Sequence, residues 1–300
     1  MEYKLSPKVY ILVLNYNNAI DTIECLDSLL ALDYDNYTTV IIDNHSKDNS
    51  ERLLKEWIKL HNDERFIFIQ TGENKGYAGG NNIGIRYALK QGDMNYIWII
   101  NNDTILDKNA LKEIILKFQK DVRLGICGSK MIYSWDKSKV QGYFGEINPI
   151  LGTSKHIISW PVFNRKHKYV IGASLCLRRE VILSIGLLEE RYFLYFEEPD
   201  ICLRAQKRGY HIDCATRSIV YHKEGASIGG GAGNVKYKSK LSDFYMIRNR
   251  ILFTRKFYPY FIPTVYCGLL LTIFNRIKRK QYDRIKMVLG IMIHPCKPYV

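Results

Sequence analysis

Residues 8–16, KVYILVLNY, hold an unbroken apolar run from Val9 to Leu14 that stops at a polar group, Asn15. The pattern returns in YTTVIIDN (37–44), RFIFIQT (65–71) and NYIWIINND (95–103). Runs of this length, rich in β-branched and aromatic residues, predict strands buried on both faces. Between them, Ile23, Leu26, Leu29 and Leu30 fall at helical spacing, NSERLLKEWIKL (49–60) has a polar start, and GGNNIGIRYALKQG (79–92) ends on glycine. Helices are expected there. Strand–helix alternation implies an α/β, Rossmann-like, mostly parallel sheet flanked by helices.

Sheets of this kind bind ligands beyond the carboxyl ends of their strands. Here every strand exit is polar: Asn15-Tyr16-Asn17, Asp43-Asn44, Thr71-Gly72-Glu73-Asn74 and Asn101-Asn102-Asp103. Topology alone therefore predicts one functional edge. Further along, LGICGSKMIYSW (124–135), VQGYFGEIN (140–148) and YVIGASLCLRRE (169–180) read as shorter strands, RREVILSIG (178–186) as the start of a helix, and HIDCATRSIVYH (211–222) as a strand. A glycine-rich loop, GASIGGGAGN (225–234), has the freedom to close over a ligand and leads into a helical region. The expected division is a catalytic body over 1–235 and a C-terminal region over 236–300.

Charge sharpens that division. The chain carries +14 net, and ten Lys or Arg between Arg248 and Lys286 face a single acid, Asp283. Nucleic-acid binders more often carry such charge on the folded body, interleaved with aromatics, so no nucleic acid is expected as a partner. The basic stretches instead flank an uncharged run, FYPYFIPTVYCGLLLTIFN (257–275), interrupted by Pro259 and Pro263. That arrangement reads as a segment lying in an anionic membrane surface rather than spanning it. Seven cysteines, an odd number with no C-x-x-C pair, argue against a disulfide framework or a zinc ribbon. They read as small apolar fillers in a reducing compartment, and the six-residue run Val9–Leu14 is too short for a signal-peptide core.

Two places could carry chemistry. Asp103 closes the fourth strand; alone it reads as a solvated loop residue or helix cap, with Thr104 and Asp107 also placed to start the helix over 107–118. NKGYAGGNN (74–82) supplies glycines for close backbone approach, yet lacks both the dinucleotide spacing and a Walker lysine. In YFEEPDICLR (195–204), Glu197, Glu198 and Asp200 crowd a helix start, with Pro199 suited to its first turn. Crowding raises carboxyl pKa values, which suits a general base. Arg204 is placed to pair with Asp200 at i,i+4.

Seven segments in order, VLNYNN, IIDNHSKDNS, ENKGYAGGNNIGI, IINNDT, GASLCLRRE, YFEEPDICLRAQKRGY and VYHKEGAS, resemble glycosyltransferase family 2, which has the GT-A fold. The likeness is greatest to the bacterial polysaccharide branch that includes rhamnosyltransferases. It runs over residues 13–227, and RNRILFTRKFYP (248–259) extends it.

The resemblance implies roles. Asp103 would hold a divalent cation, Mg²⁺ or Mn²⁺, on the donor diphosphate, and His222 would complete that site or contact the diphosphate. Asn101 stands where the family's motif has an acid, which leaves less negative charge on the metal; Asn102 lies between them. Asp43 and Asn44 would read base and ribose, Asn15 would lie at the nucleotide edge, and Gly76 and Asn81 would border the nucleotide sugar. Glu198, a Glu where the motif usually has Asp, would deprotonate the acceptor, with Asp200 as the second choice. Arg248 would neutralise the leaving diphosphate. The implied activity is metal-dependent, inverting transfer from a nucleoside-diphosphate sugar, dTDP-rhamnose or a UDP-hexose, to a lipid-linked or polysaccharide hydroxyl. The implied location is peripheral, on the cytoplasmic face of a bacterial plasma membrane. The Asn101 and Glu198 departures keep open a non-catalytic nucleotide-sugar-binding membrane subunit. A nucleotidyltransferase would need a basic glycine-rich phosphate loop near the N-terminus, which the sequence lacks.

Overall fold

A computed structural model describes residues 6–162, 166–223, 239–297 and 299. The glycine-rich loop and the boundary expected at 235 lie outside the described residues.

The first hundred residues fold as the hydrophobic pattern predicts. In order come β1 (Val9–Asn15), α1 (Ala19–Leu30), β2 (Tyr37–Asp43), α2 (Ser50–His61), β3 (Phe66–Gln70), α3 (Gly76–Gln91) and β4 (Tyr96–Asn101). These four strands lie side by side as β3-β2-β1-β4, all parallel. Their alternate side chains enter two cores. Val9, Ile11 and Val13 of β1 join Leu26, Leu29, Leu54 and Trp57 on one face, while Tyr10 and Leu12 join Ala78, Ile85 and Ala88 of α3 on the other. Burial on both sides is why these strands are continuously apolar rather than alternating.

The second half departs from a simple parallel sheet. It contains β5 (Thr104–Leu106), α4 (Ala110–Lys120), β6 (Leu124–Tyr133), β7 (Asp136–Gly142), β8 (Phe144–Asn148), β9 (Thr153–Ile157), β10 (Lys168–Tyr169), β11 (Ser174–Arg178), α5 (Arg179–Ile185), α6 (Glu197–Lys207) and β12 (His211–His222). Among the described residues the main sheet continues β4-β11-β6-β12-β5, with β7 on β6. β11 runs antiparallel to both neighbours, so the parallel character holds through β4 and again at β6–β12. The segment 140–148 is not one strand. It bends at Tyr143, with β7 in the main sheet and β8 in a small sheet ordered β10-β8-β9.

Thr104 was a candidate helix start and instead opens β5. Thr104, Ile105 and Leu106 suit a pleated, half-buried edge, and they pair antiparallel with β12 so that Thr104 faces His222. The helix waits until Ala110. This short strand fixes Asp103 in the turn between β4 and β5, opposite the end of β12.

Three helices end the chain: α7 (Lys240–Phe257), α8 (Ile262–Lys278) and α9 (Tyr282–Ile293). α7 is no detached tail. Phe244, Tyr245, Ile247 and Ile251 pack with Phe193, Leu194 and Tyr195, and Phe253 packs with Tyr192 and Phe196. α8 and α9 lie outside it, pinned by Arg276 and Arg284 to Asp243 of α7 at 2.6 and 2.9 Å. Cys25, Cys127, Cys176, Cys202 and Cys214 are buried in the body, and Cys267 and Cys296 are exposed, none of them in a disulfide.

Candidate active site

Asp103 and His222 meet. Asp103 is 4% exposed and His222 8%, and His222 Nε2 lies 3.2 Å from Asp103 Oδ1. On the other side of the ring, His222 Nδ1 lies 2.9 Å from Oε1 of Gln141. A Gln141 oxygen accepting from Nδ1–H would leave Nε2, on the Asp103 side, as the ring atom a cation could take, and a hydrogen bond to the far nitrogen is how proteins orient a histidine for a metal. One carboxylate oxygen and one imidazole nitrogen suit Mn²⁺ or Mg²⁺ whose other positions are filled by phosphate oxygens. Among the described residues no cluster of three or more His, Cys, Asp or Glu could hold a metal unaided. The pair fits a site that substrate completes.

The acids of α6 stand across a narrow strip from this pair. Ala173 O accepts from the Asn101 backbone N–H at 3.2 Å, which ties the strip to the strand ending in Asp103. Gly172 N–H donates to the Glu198 carboxylate, and Gly172 O accepts from the Tyr77 hydroxyl at 2.9 Å. The Tyr77 phenol is held strongly protonated by burial and by the charges of Glu198, Glu197 and Asp103.

Burial pushes Glu198 above the ordinary carboxylate range, against the N–H groups of Gly172 and of Glu198 itself, which favour the charged form. Glu197 is 2% exposed, its Oε2 has no hydrogen-bond partner among the described residues, and burial followed by Glu198 holds it well above the usual range. A half-buried Glu198 with a raised pKa, beside a second buried carboxyl, has the environment of a proton acceptor. Asp200 does not. It is fully buried and accepts from Tyr192 Oη at 3.0 Å, Arg204 Nε at 2.6 Å and Lys256 Nζ at 2.6 Å. The second-choice base is thus a structural knot, and the expected Arg204 pair is part of it.

The strand-exit residues expected to touch nucleotide mostly hold loops. Asp43 is 0% exposed and accepts from Asn15 Nδ2 (2.7 Å), Ser46 N (3.0 Å), Ser46 Oγ (2.6 Å) and Gln70 Nε2 (2.8 Å). Four donors use a carboxylate's acceptor sites, so Asp43 positions this edge rather than offering free lone pairs. Asn15 is equally engaged, accepting from Thr22 Oγ1 at 2.8 Å. Asn44 bonds Asn74 Oδ1, Gly76 O and Lys75 N, stapling β2 to the start of α3. Asn102 donates to Thr22 Oγ1 at 2.9 Å. Asn101 ends β4 and is partly exposed. Asn81 donates to Tyr77 O at 2.9 Å, and its buried Oδ1 has no hydrogen-bond partner among the described residues. Gly76 (φ 67°) is required because a β-carbon there would lie 2.3 Å from Phe193 O.

Arg248, expected to neutralise the diphosphate, is bonded to protein oxygens instead. Its guanidinium is largely buried and donates to Arg191 O at 2.7 Å, Lys297 O at 3.1 Å and Asn249 Oδ1 at 2.8 Å. These acceptors use most of its planar fork, which leaves it a structural clasp. Sequence reasoning missed Gln141, Tyr77 and Asn249. Gln141 and Tyr77 carry no signal in isolation, while Asn249 sits visibly in RNR (248–250).

A GT-A-type sheet with an Asp–His pair at its edge and acids facing it defines the class. Residues 10–183 match glycosyl transferase family 2, more than half of the chain, and the chain belongs to that family. It is 26% identical over 221 residues to the low-salt glycan biosynthesis hexosyltransferase Agl10 of Haloferax volcanii, covering 71% of this chain and 66% of that protein. It is 38% identical over 127 residues to the poly-β-1,6-N-acetyl-D-glucosamine synthase of Staphylococcus aureus, covering 42% of this chain and 29% of that protein. The chain thus matches just under two thirds of the first relative's length and under a third of the second's. In fold it is similar to the mannosyltransferase PcManGT of Pyrobaculum calidifontis, solved with GDP-Man and Mn²⁺, at a TM-score of 0.59 and 14% identity over 97% of this chain and 88% of that one. It is also similar to residues 1–349 of S. aureus TarS with UDP-GlcNAc, at a TM-score of 0.53 and 17% identity over 82% of this chain and 66% of that one.

Proposed function

We propose that the chain is an inverting glycosyltransferase that moves a sugar from a nucleoside diphosphate to a hydroxyl of a lipid-linked or polysaccharide acceptor. The observation that carries this reading is the Gly172–Ala173 strip, bonded on one side to the strand that ends in Asp103 and on the other to Glu198. Donor and acceptor then meet between these walls. The nucleotide sugars and Mn²⁺ of the structural neighbours support the donor class, and the branch resemblance favours dTDP-rhamnose, then a UDP-hexose.

Asp103 and His222 would hold a divalent cation, Mn²⁺ or Mg²⁺, and when bound it neutralises charge growing on the departing diphosphate. Glu198 takes the proton from the acceptor hydroxyl. That oxygen forms a bond to the anomeric carbon as the bond from this carbon to the phosphate oxygen breaks, and the nucleoside diphosphate leaves with the electron pair from the opposite face.

The outer helices supply a docking surface for a lipid-linked acceptor. Leu270, Leu271, Phe274 and Ile277 are exposed along one side of α8, with Lys278, Arg279, Lys280 and Lys286 exposed nearby. The segment Pro259–Lys278 is long and apolar enough to cross a membrane. Its two buried residues, Val265 and Leu269, face the protein, which favours lying in the surface, on the cytoplasmic side where nucleotide sugars are found.

A panel of nucleotide sugars tested by thermal shift with Mn²⁺, followed by slow hydrolysis of the best binder, tests the reading. Stabilisation by one nucleotide sugar with metal-dependent release of its nucleoside diphosphate is expected. No shift by any of them would contradict it.

A further inference from the structure

Glu198 follows a segment with an unusual backbone. Phe193, Tyr195 and Phe196 have φ of 65°, 70° and 76°, a region that bulky side chains avoid. Such a conformation persists only where surrounding contacts impose it, and strain of this kind collects at functional sites. One side chain reaches three carbonyl oxygens of the segment. Asn249 of α7, 0% exposed, directs its Nδ2 at Tyr192 O (2.8 Å), Leu194 O (2.7 Å) and Tyr195 O (3.0 Å). The rest of the same helix face completes the grip. Tyr245 stacks on Phe193 with ring centroids 4.8 Å apart, Phe253 meets Phe196 at 5.3 Å, and Ser242 Oγ bonds the Tyr195 hydroxyl at 3.0 Å.

We propose that Asn249 is a positioning residue for the general base, its amide holding residues 192–196 in a conformation, with positive φ at Phe193, Tyr195 and Phe196, that aims Glu198 at the Gly172 strip. The inference rests on the base assignment made above and adds a residue that touches neither substrate nor Glu198. Residues Ser242, Tyr245, Asn249 and Phe253 recur at spacings of three or four along α7, so one helical stripe meets the whole segment. Phe193 O also accepts from Tyr77 N at 2.6 Å. A shift of the segment would therefore move both the base and the tyrosine beside it.

The test is Asn249→Asp, which keeps the shape of the side chain and replaces its donor with an acceptor facing three carbonyl oxygens. Misplacement of a catalytic group by about 1 Å can cost about 10²-fold in turnover. A kcat loss of about that size is expected, with donor KM within about twofold. In Glu198→Gln, the same change should lower the residual turnover no further, because the group it positions is already disabled. Asn249→Gln, which keeps the amide donor, should recover part of the loss. A purely structural role would reduce the amount of folded enzyme and multiply with Glu198→Gln. Wild-type kcat per folded Asn249→Asp enzyme, or full multiplication in the double variant, overturns the proposal. If Glu198→Gln itself turns over normally, the base assignment fails and this role fails with it. If Glu198→Gln is inactive while Asn249→Asp is normal, only the positioning role falls.

Discussion

Glu198 lies so close to Gly172 that a β-carbon on the glycine would sit 2.2 Å from Glu198 Oε1 and 2.6 Å from its Cγ. The proposed base is thus placed by the absence of a side chain. Gly172→Ala must push the carboxylate away from the strip, while the backbone of β11 and its core contacts remain. Turnover should fall by about 10- to 100-fold with the melting temperature nearly unchanged. Normal turnover in a folded Gly172→Ala protein would show that Glu198 does not need this position.

Gln141 orients His222 without reaching the cation site itself. Residues that fix a metal-binding histidine commonly contribute 10- to 100-fold in metal affinity. Gln141→Ala should therefore raise the Mn²⁺ concentration needed for half-maximal turnover by about that factor, leaving saturated kcat close to normal. An unchanged Mn²⁺ requirement would remove His222 from the metal site.

Much of this geometry was legible in the sequence, and the reasons differ by residue. Burial on both faces makes strands β1 to β4 uniformly apolar, so their polar exits stood out, and Asp103 with them. His222 was visible as the last residue of a long strand, but its meeting with Asp103 depends on β5, three residues too short to show a period. Asp200 and Arg248 misled because charge near a site reads as chemistry. Only the fold shows that Tyr192 and Lys256 join the expected Arg204 on one, and that two backbone carbonyls and the Asn249 amide oxygen occupy the other. Asn249 was hidden for the opposite reason: an amide inside a helix has no meaning until its three acceptors, fifty-odd positions away, are brought to it.

Glu197 sets a pH dependence of stability. Its folded-state pKa is raised by burial above the ordinary 4.5, so the folded protein binds a proton more tightly than the unfolded chain. That contribution is fully present below the ordinary carboxylate value and is lost as pH rises through the raised one. Glu197→Gln has no such proton to lose. As pH rises from the ordinary carboxylate value, the variant's melting temperature should rise relative to wild type. Melting temperatures that stay parallel as pH rises would contradict a raised Glu197 pKa.

The apolar side of α8 should govern membrane association. Truncation from residue 256 would also remove the Lys256 partner of Asp200, so point substitutions are cleaner. Leu270→Glu, Leu271→Glu and Phe274→Glu together should abolish sedimentation with phosphatidylserine vesicles. Each exposed Lys or Arg contributes about 1 kcal/mol near an anionic surface, so wild-type binding should also weaken with salt. Undiminished sedimentation of the triple variant would refute the surface.

The most direct measurement pairs donor binding with turnover in two variants, Asp103→Ala and Glu198→Gln, using the nucleotide sugar found by thermal shift and Mn²⁺. Glu198→Gln should bind the donor as tightly as wild type while losing about 10²- to 10⁴-fold in transfer. Asp103→Ala should lose both metal-dependent donor binding and transfer. Wild-type transfer by either variant, or donor affinity in Asp103→Ala equal to wild type, would contradict a single cleft with its metal on one wall and its base on the other.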